Sequence, residues 1–163
     1  MEFWQTVIAT IVGGVITLVA TYLTSRGQRK LESGKKLIEK LEYTHTLTSK
    51  VEHMYRAQWG SDLAFLQSGV RHSTHTTKER VPFEELEMLA AFYAPGLSSE
   101  VALLISHAQG EYGKLLLRVE SRSSLSQDEI TDLQTKLVTA FNEIKASIVR
   151  LQNGLTKLGR AHL

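Results

Sequence analysis

The first feature of the chain is an uninterrupted stretch, Phe3 to Ser25, in which no residue is ionisable at neutral pH. As a helix it would reach about 34 Å, against a hydrocarbon core of about 30 Å. Beyond it the pattern changes to helical periodicity. Leu37, Leu41, Leu47, Val51, Met54, Tyr55, Trp59, Leu63 and Leu66 recur mostly three and four apart, which predicts a helix over 36–69. The stretch 69–81 has no apolar period and reads as a loop. Pro82 suits the first turn of a helix carrying Phe83, Leu86, Leu89 and Tyr93, which Pro95-Gly96 ends. A third helix follows with Val101, Leu104, Ile105, Ala108, Tyr112, Leu115 and Val119 on one face, up to the polar break at 121–125. Ser126 and Glu129 form a capping-box pattern at the start of the last helix. Its apolar series is Ile130, Leu133, Leu137, Phe141, Ile144, Ile148, Leu151, Leu155 and Leu158, a heptad seam from Leu137 onward. Glycines at 154 and 159 predict fraying of its last turns. The fold class is therefore all-α: one N-terminal transmembrane helix followed by an antiparallel helical bundle.

The apolar run has two faces. Thr6, Thr10, Gly13, Thr17, Ala20 and Thr24 follow one another at spacings of 4, 3, 4, 3 and 4, and all are small. Small residues let helices approach closely in lipid, and hydroxyls hydrogen-bond across the contact or to their own backbone. The stripe is thus a candidate association or pore-lining face, and the rest of the helix would face lipid. A single anchor with self-satisfied threonines is the plainer alternative. A cleaved signal peptide fits less well, because the leading residues are Met-Glu and the apolar core is long.

Charge gives the run an orientation. Arg26, Arg29, Lys30, Lys35, Lys36 and Lys40 follow it closely, and Glu2 is the only charge before it. The positive-inside rule places that flank in the cytoplasm. Arg26, Arg29, Lys30, Lys35 and Lys36 are also candidate contacts for anionic lipid headgroups. Gly27 and Gly34 in the same flank predict a frayed or kinked joint. The expected organisation is a transmembrane anchor at 1–25, a basic juxtamembrane joint at 26–35 and a cytoplasmic helical bundle at 36–163.

Composition narrows the function classes. The chain has no cysteine, so disulfides and thiolate metal sites are excluded. The net charge of +2 is too small to imply nucleic acid. No Gly-rich phosphate loop or Gly-x-Ser-x-Gly elbow occurs. His72, His75 and Glu79 offer a weak metal pattern within a loop made basic by Arg71, Lys78 and Arg80. A solvated polar loop is the plainer reading. His45 and His53 have no suggestive partner, His107 reads as a satisfied bundle histidine, and Glu84, Glu85 and Glu87 read as a solvated helix face. No catalytic residue, metal or cofactor is expected.

The segment Leu86 to Leu97, LEMLAAFYAPGL, together with the N-terminal anchor and the Lys/Glu-rich helix, resembles a group of small uncharacterised bacterial single-pass membrane proteins with a helical cytoplasmic domain. The resemblance implies a bacterial or phage origin and transfers no catalytic motif; with the anchor and its basic flank the expected location is the bacterial inner membrane, C-terminal domain in the cytoplasm. The layout is also similar to membrane-acting phage-defence effectors. The expectation is a non-enzymatic, self-associating membrane protein of pore-forming or membrane-disrupting type, with a homo-oligomer and a cytoplasmic protein as partners. The alternative is a membrane-tethered adaptor or scaffold whose bundle binds a protein partner.

Overall fold

The computed structural model describes residues 2–71 and 80–162. Within the first helix the side chains of residues 2–20, 23, 27, 29 and 30 are outside that description. The described residues contain helices and turns and no strand. The first helix, α1, is Glu2–Ser68. It passes through Gly27 and Gly34, so the expected fraying of this joint is not found. Single glycines cost about 1 kcal/mol each in a helix, and here good helix formers such as Arg26, Gln28, Lys35 and Lys36 flank them. Among the described residues no helix is long and apolar enough to cross a membrane. The expected span at 3–25 falls mainly on side chains outside the description and gains no support from the others. Of the small-residue stripe only Thr24 has a described side chain, and it is exposed; Thr6, Thr10, Gly13, Thr17 and Ala20 lie outside. Arg26, Lys35 and Lys36 are exposed, whereas the side chains of Arg29 and Lys30 lie outside.

The chain divides into two compact units, Met1–Glu39 and Lys40–Leu163. The second unit holds the C-terminal part of α1, then α2 (Phe83–Tyr93), α3 (Ser98–Ile105), a π-helical segment (Ser106–Tyr112), α4 (Gly113–Glu120) and α5 (Gln127–Ala161). Backbone angles stay helical from α3 through the π segment into α4, so these three form one rod. Pairings along the helices fix their directions. Ser49 on α1 bonds Gln152 on α5 at 3.0 Å, and further along α1 Trp59 stacks on Phe141, with ring centroids 4.7 Å apart. The two helices therefore run antiparallel. The rod follows α1, since Tyr112 meets Asp62 and Arg122, just past its end, meets the Leu66 carbonyl. It opposes α5, since Glu100 meets Arg150 and His107 meets Ser147. With α2 returning between α1 and α3, the unit is an up-down-up-down four-helix bundle whose two later connections, 94–97 and 121–126, are short.

The predicted seam of α5 is the centre of the core. Leu133, Leu137, Ile144, Ile148 and Leu151 are fully enclosed, and Ile130, Phe141 and Leu155 nearly so. Each such side chain contributes about 1.5–3 kcal/mol relative to exposure. The capping box forms as the sequence predicts: the Glu129 amide donates to Ser126 Oγ, and the Ser126 amide donates to the Glu129 carboxylate at 2.8 Å. The predicted fraying does not occur, because α5 continues to Ala161. Gly154 instead has a packing role. A Cβ there would lie 2.5 Å from Leu97 Cδ2, so the missing side chain makes a notch for the leucine of the α2–α3 turn. On α2, Phe83, Leu86, Leu89 and Ala90 are buried as a face, whereas Tyr93 is 38 % exposed and does not join it. Leu89 and Ala90 end the buried stripe because the next inward place is filled by Ala94, beyond the last turn.

Candidate functional site

The inner face of α1 repeats at Val51, Tyr55, Asp62 and Leu66, so helical spacing carries Asp62 into the core with them. Asp62 is 1 % exposed. A buried carboxylate requires donors, and the fold supplies them. Gln58, one turn earlier, donates its amide to both oxygens at 3.0 and 3.1 Å. Tyr112, at the end of the π segment, donates its hydroxyl to Oδ2 at 2.9 Å. Burial pushes the Asp62 carboxyl above its ordinary value, and the hydrogen bonds from Gln58 and Tyr112 pull it back. The Tyr112 hydroxyl is raised by burial and by the neighbouring Asp62. Tyr55, edge-on to Tyr112 at 5.6 Å between centroids, is pushed up to about 12 by burial.

A second polar cluster joins the same rod to α5. Ser147 is fully buried, and its hydroxyl donates to the Glu143 carbonyl at 3.0 Å. The same oxygen accepts from Arg150 Nη2 at 3.0 Å, and His107 Nδ1 lies within hydrogen-bond distance of it at 3.1 Å. Arg150 also donates to Glu100 at 3.2 Å. A serine beside a histidine invites comparison with a hydrolytic pair. Here the buried Ser147 hydroxyl donates to the Glu143 carbonyl of its own helix, and no third group that would orient the imidazole is found among the described contacts. The cluster pins helices together.

A third contact closes the end of the bundle. Arg122 donates Nε to the Leu66 carbonyl at 2.8 Å, satisfying one of the last carbonyls of α1. Its guanidinium lies 5.9 Å from the Phe65 ring centre, and Arg71 lies 5.2 Å from the same ring. Gly69 adopts the left-handed conformation with φ 72° that terminates the helix. Between α1, α2 and the π segment a cleft of about 210 Å³ is lined by Tyr55, Arg80, Val81, Phe83, Glu84 and Gln109. The exposed Arg80–Glu84 ion pair, at 3.0 Å, stands at its edge.

The histidine–carboxylate pattern at His72, His75 and Glu79, with Lys78, lies outside the described residues. Among the described residues no three His, Asp or Glu side chains converge as metal ligands would. Glu84 is exposed and ion-paired, while Glu85 accepts from Tyr43 at 2.7 Å. The polar residues that the structure brings together, Gln58, Asp62, Glu100, Ser147 and Arg150, were not among the sequence candidates. The signal for Asp62 was present, since it sits on the helical face shared by Val51 and Leu66. No protein-family model, curated protein or solved structure matches the chain, so function is argued from its own residues.

Proposed function

We propose that the chain is a non-enzymatic, membrane-anchored helical protein that self-associates through its N-terminal helix. Its assembly would form a pore or otherwise disrupt the membrane, as in a bacterial phage-defence effector. The observation that carries this reading is the run from Phe3 to Ser25, uncharged throughout and followed at once by Arg26, Arg29 and Lys30. The small-residue series from Thr6 to Thr24 supplies a face for assembly.

A second reading, a membrane-tethered adaptor, is favoured by one observation. Phe92 is 77 % exposed and Met88 50 % exposed, one turn apart on the outer face of α2. Gly13→Leu separates the readings. It adds bulk in the middle of the small-residue series without reducing hydrophobicity. In an assembling effector it abolishes crosslinked oligomers and ion leakage while membrane localisation persists. Normal oligomers and normal leakage in Gly13→Leu would leave the adaptor reading standing.

A further inference from the structure

The π segment Ser106–Tyr112 lies between α3 and α4, and the two ends of the rod are fixed to different neighbours. Glu100 and His107 hold the rod to α5, and Tyr112 and Arg122 hold it to α1. A π turn closes its hydrogen bonds one residue later than an α turn, so it accommodates about one extra residue within the same length. That extra residue can be absorbed by a register shift in either direction, and the sequence makes the two directions unequal.

If the segment relaxed to α with α3 fixed, each place in α4 would pass to the residue before. Glu111 would replace Tyr112 beside Asp62, setting two carboxylates against each other, and Arg118 would replace the fully buried Val119. Both exchanges are prohibitive in a core. If α4 stays fixed, each place in α3 passes to the residue after. Ala102 then replaces Val101, Ile105 replaces Leu104 and Gln109 replaces Ala108. Residues 101–105 are Val, Ala, Leu, Leu and Ile, so this direction brings no charge into the core; its cost is the neutral Gln109 amide in the buried Ala108 place and the smaller Ala102 in that of Val101. The shift removes Glu100 from Arg150 and His107 from Ser147. It also draws the α2–α3 turn along, withdrawing Leu97 from the notch at Gly154.

We infer that α3 is a two-register element. The π segment stores the extra residue, α4 is the fixed half, and the Glu100–Arg150–Ser147–His107 cluster selects the observed register. A partner that engages α2 or the α2–α3 turn would bias this equilibrium, giving the bundle a local second state with the Tyr112–Asp62 and Arg122–Leu66 contacts intact. The inference concerns the second unit alone and holds whether or not the N-terminal helix assembles.

Hydrogen–deuterium exchange on the full chain in lipid nanodiscs tests it. Ala102 is exposed in the observed register and inward-facing in the shifted one. Ala102→Lys therefore leaves the observed register unaltered and blocks the shift, and exchange over residues 98–112 slows about tenfold. The double substitution His107→Ala with Arg150→Ala removes the selecting contacts, and exchange over the same residues rises about tenfold while α4 stays protected. Parent-like exchange or unfolding in Ala102→Lys would overturn the inference. So would a rise in the double variant that is equally large across α4 and α5, because that would mean the cluster stabilises the bundle only as a whole.

Discussion

Tyr112→Phe is the sharpest probe of the bundle's polar interior. The substitution removes one oxygen from a fully enclosed ring and leaves its packing against Tyr55 in place. What it deletes is the 2.9 Å hydrogen bond to Asp62. A hydrogen bond to an ionised group contributes about 1.5–3 kcal/mol, and one between neutral groups about 1 kcal/mol. Gln58 still donates to both carboxylate oxygens, so the loss at neutral pH is about 2 kcal/mol rather than the cost of a bare buried charge. For a domain of this size that lowers Tm by roughly 5–10 °C. The pH dependence follows from Asp62. Burial raises its folded pKa above the unfolded value, so the stability gained from protonation is fully present below the unfolded value and lost as pH rises through the folded one. Tyr112 favours the ionised form, and its removal raises the folded pKa further. The penalty of Tyr112→Phe is therefore largest at neutral pH and shrinks toward about 1 kcal/mol as pH falls below the folded pKa. Circular dichroism during thermal unfolding of the full chain in detergent, at pH 7 and pH 4, measures both values. A penalty below about 0.5 kcal/mol at pH 7, or one that does not change with pH, would refute the assignment of Tyr112 as donor to a buried carboxylate.

Three further outcomes are expected. Gly154→Val fills the notch that Leu97 occupies and destabilises the bundle by about 1–3 kcal/mol in the same unfolding assay, the usual range for overpacking. Gly69→Ala places a side chain at a positive φ and 2.7 Å from Arg122 Nη1, so it costs about 1–2 kcal/mol and also loosens the Arg122 contact with Leu66; exchange at the end of α1 reports it. On the proposed membrane reading, a reporter enzyme fused after Leu163 is active only as a cytoplasmic reporter, the orientation that the positive-inside rule expects from the flank Arg26 to Lys40; periplasmic activity would contradict the proposed topology.

Helix positions were readable where one local signal decides them. Pro82, Pro95-Gly96 and the Ser126–Glu129 box bound helices regardless of tertiary context, and the heptad seam of α5 leaves no other face to bury. The errors occur where a residue's role depends on a distant neighbour. Gly154 and Gly159 look like helix breakers in sequence, yet Gly154 is required by Leu97, far away in the chain. Leu63 is the more hydrophobic of two neighbours but is only half-buried, whereas Asp62 holds the helical phase that faces the core. The π segment left no mark on the apolar pattern, since Val101, Leu104, Ala108 and Tyr112 fit α spacing equally well. The functional expectations are of another kind. They rest on Phe3 to Ser25 and its basic flank, which follow from composition and charge and need no tertiary contact.

The distribution of polar groups in the bundle has a physical logic of its own. A helix stretch that is apolar all round, such as 101–105, carries no polar residue that would mark its outer face, so directional contacts add to burial in setting its register. Ser147 accepts only where His107 and Arg150 can both reach it, and Glu100 extends the same chain of contacts to the surface. At the other end of the rod the constraint is stricter. Asp62 is enclosed and demands a donor, and the residue that would take the place of Tyr112 is Glu111. One half of the rod is therefore held by an obligatory contact and the other by replaceable ones, with the π segment between them. That asymmetry directs the proposed rearrangement toward α3 and the α2–α3 turn, next to the face of α2 where Met88 and Phe92 are exposed.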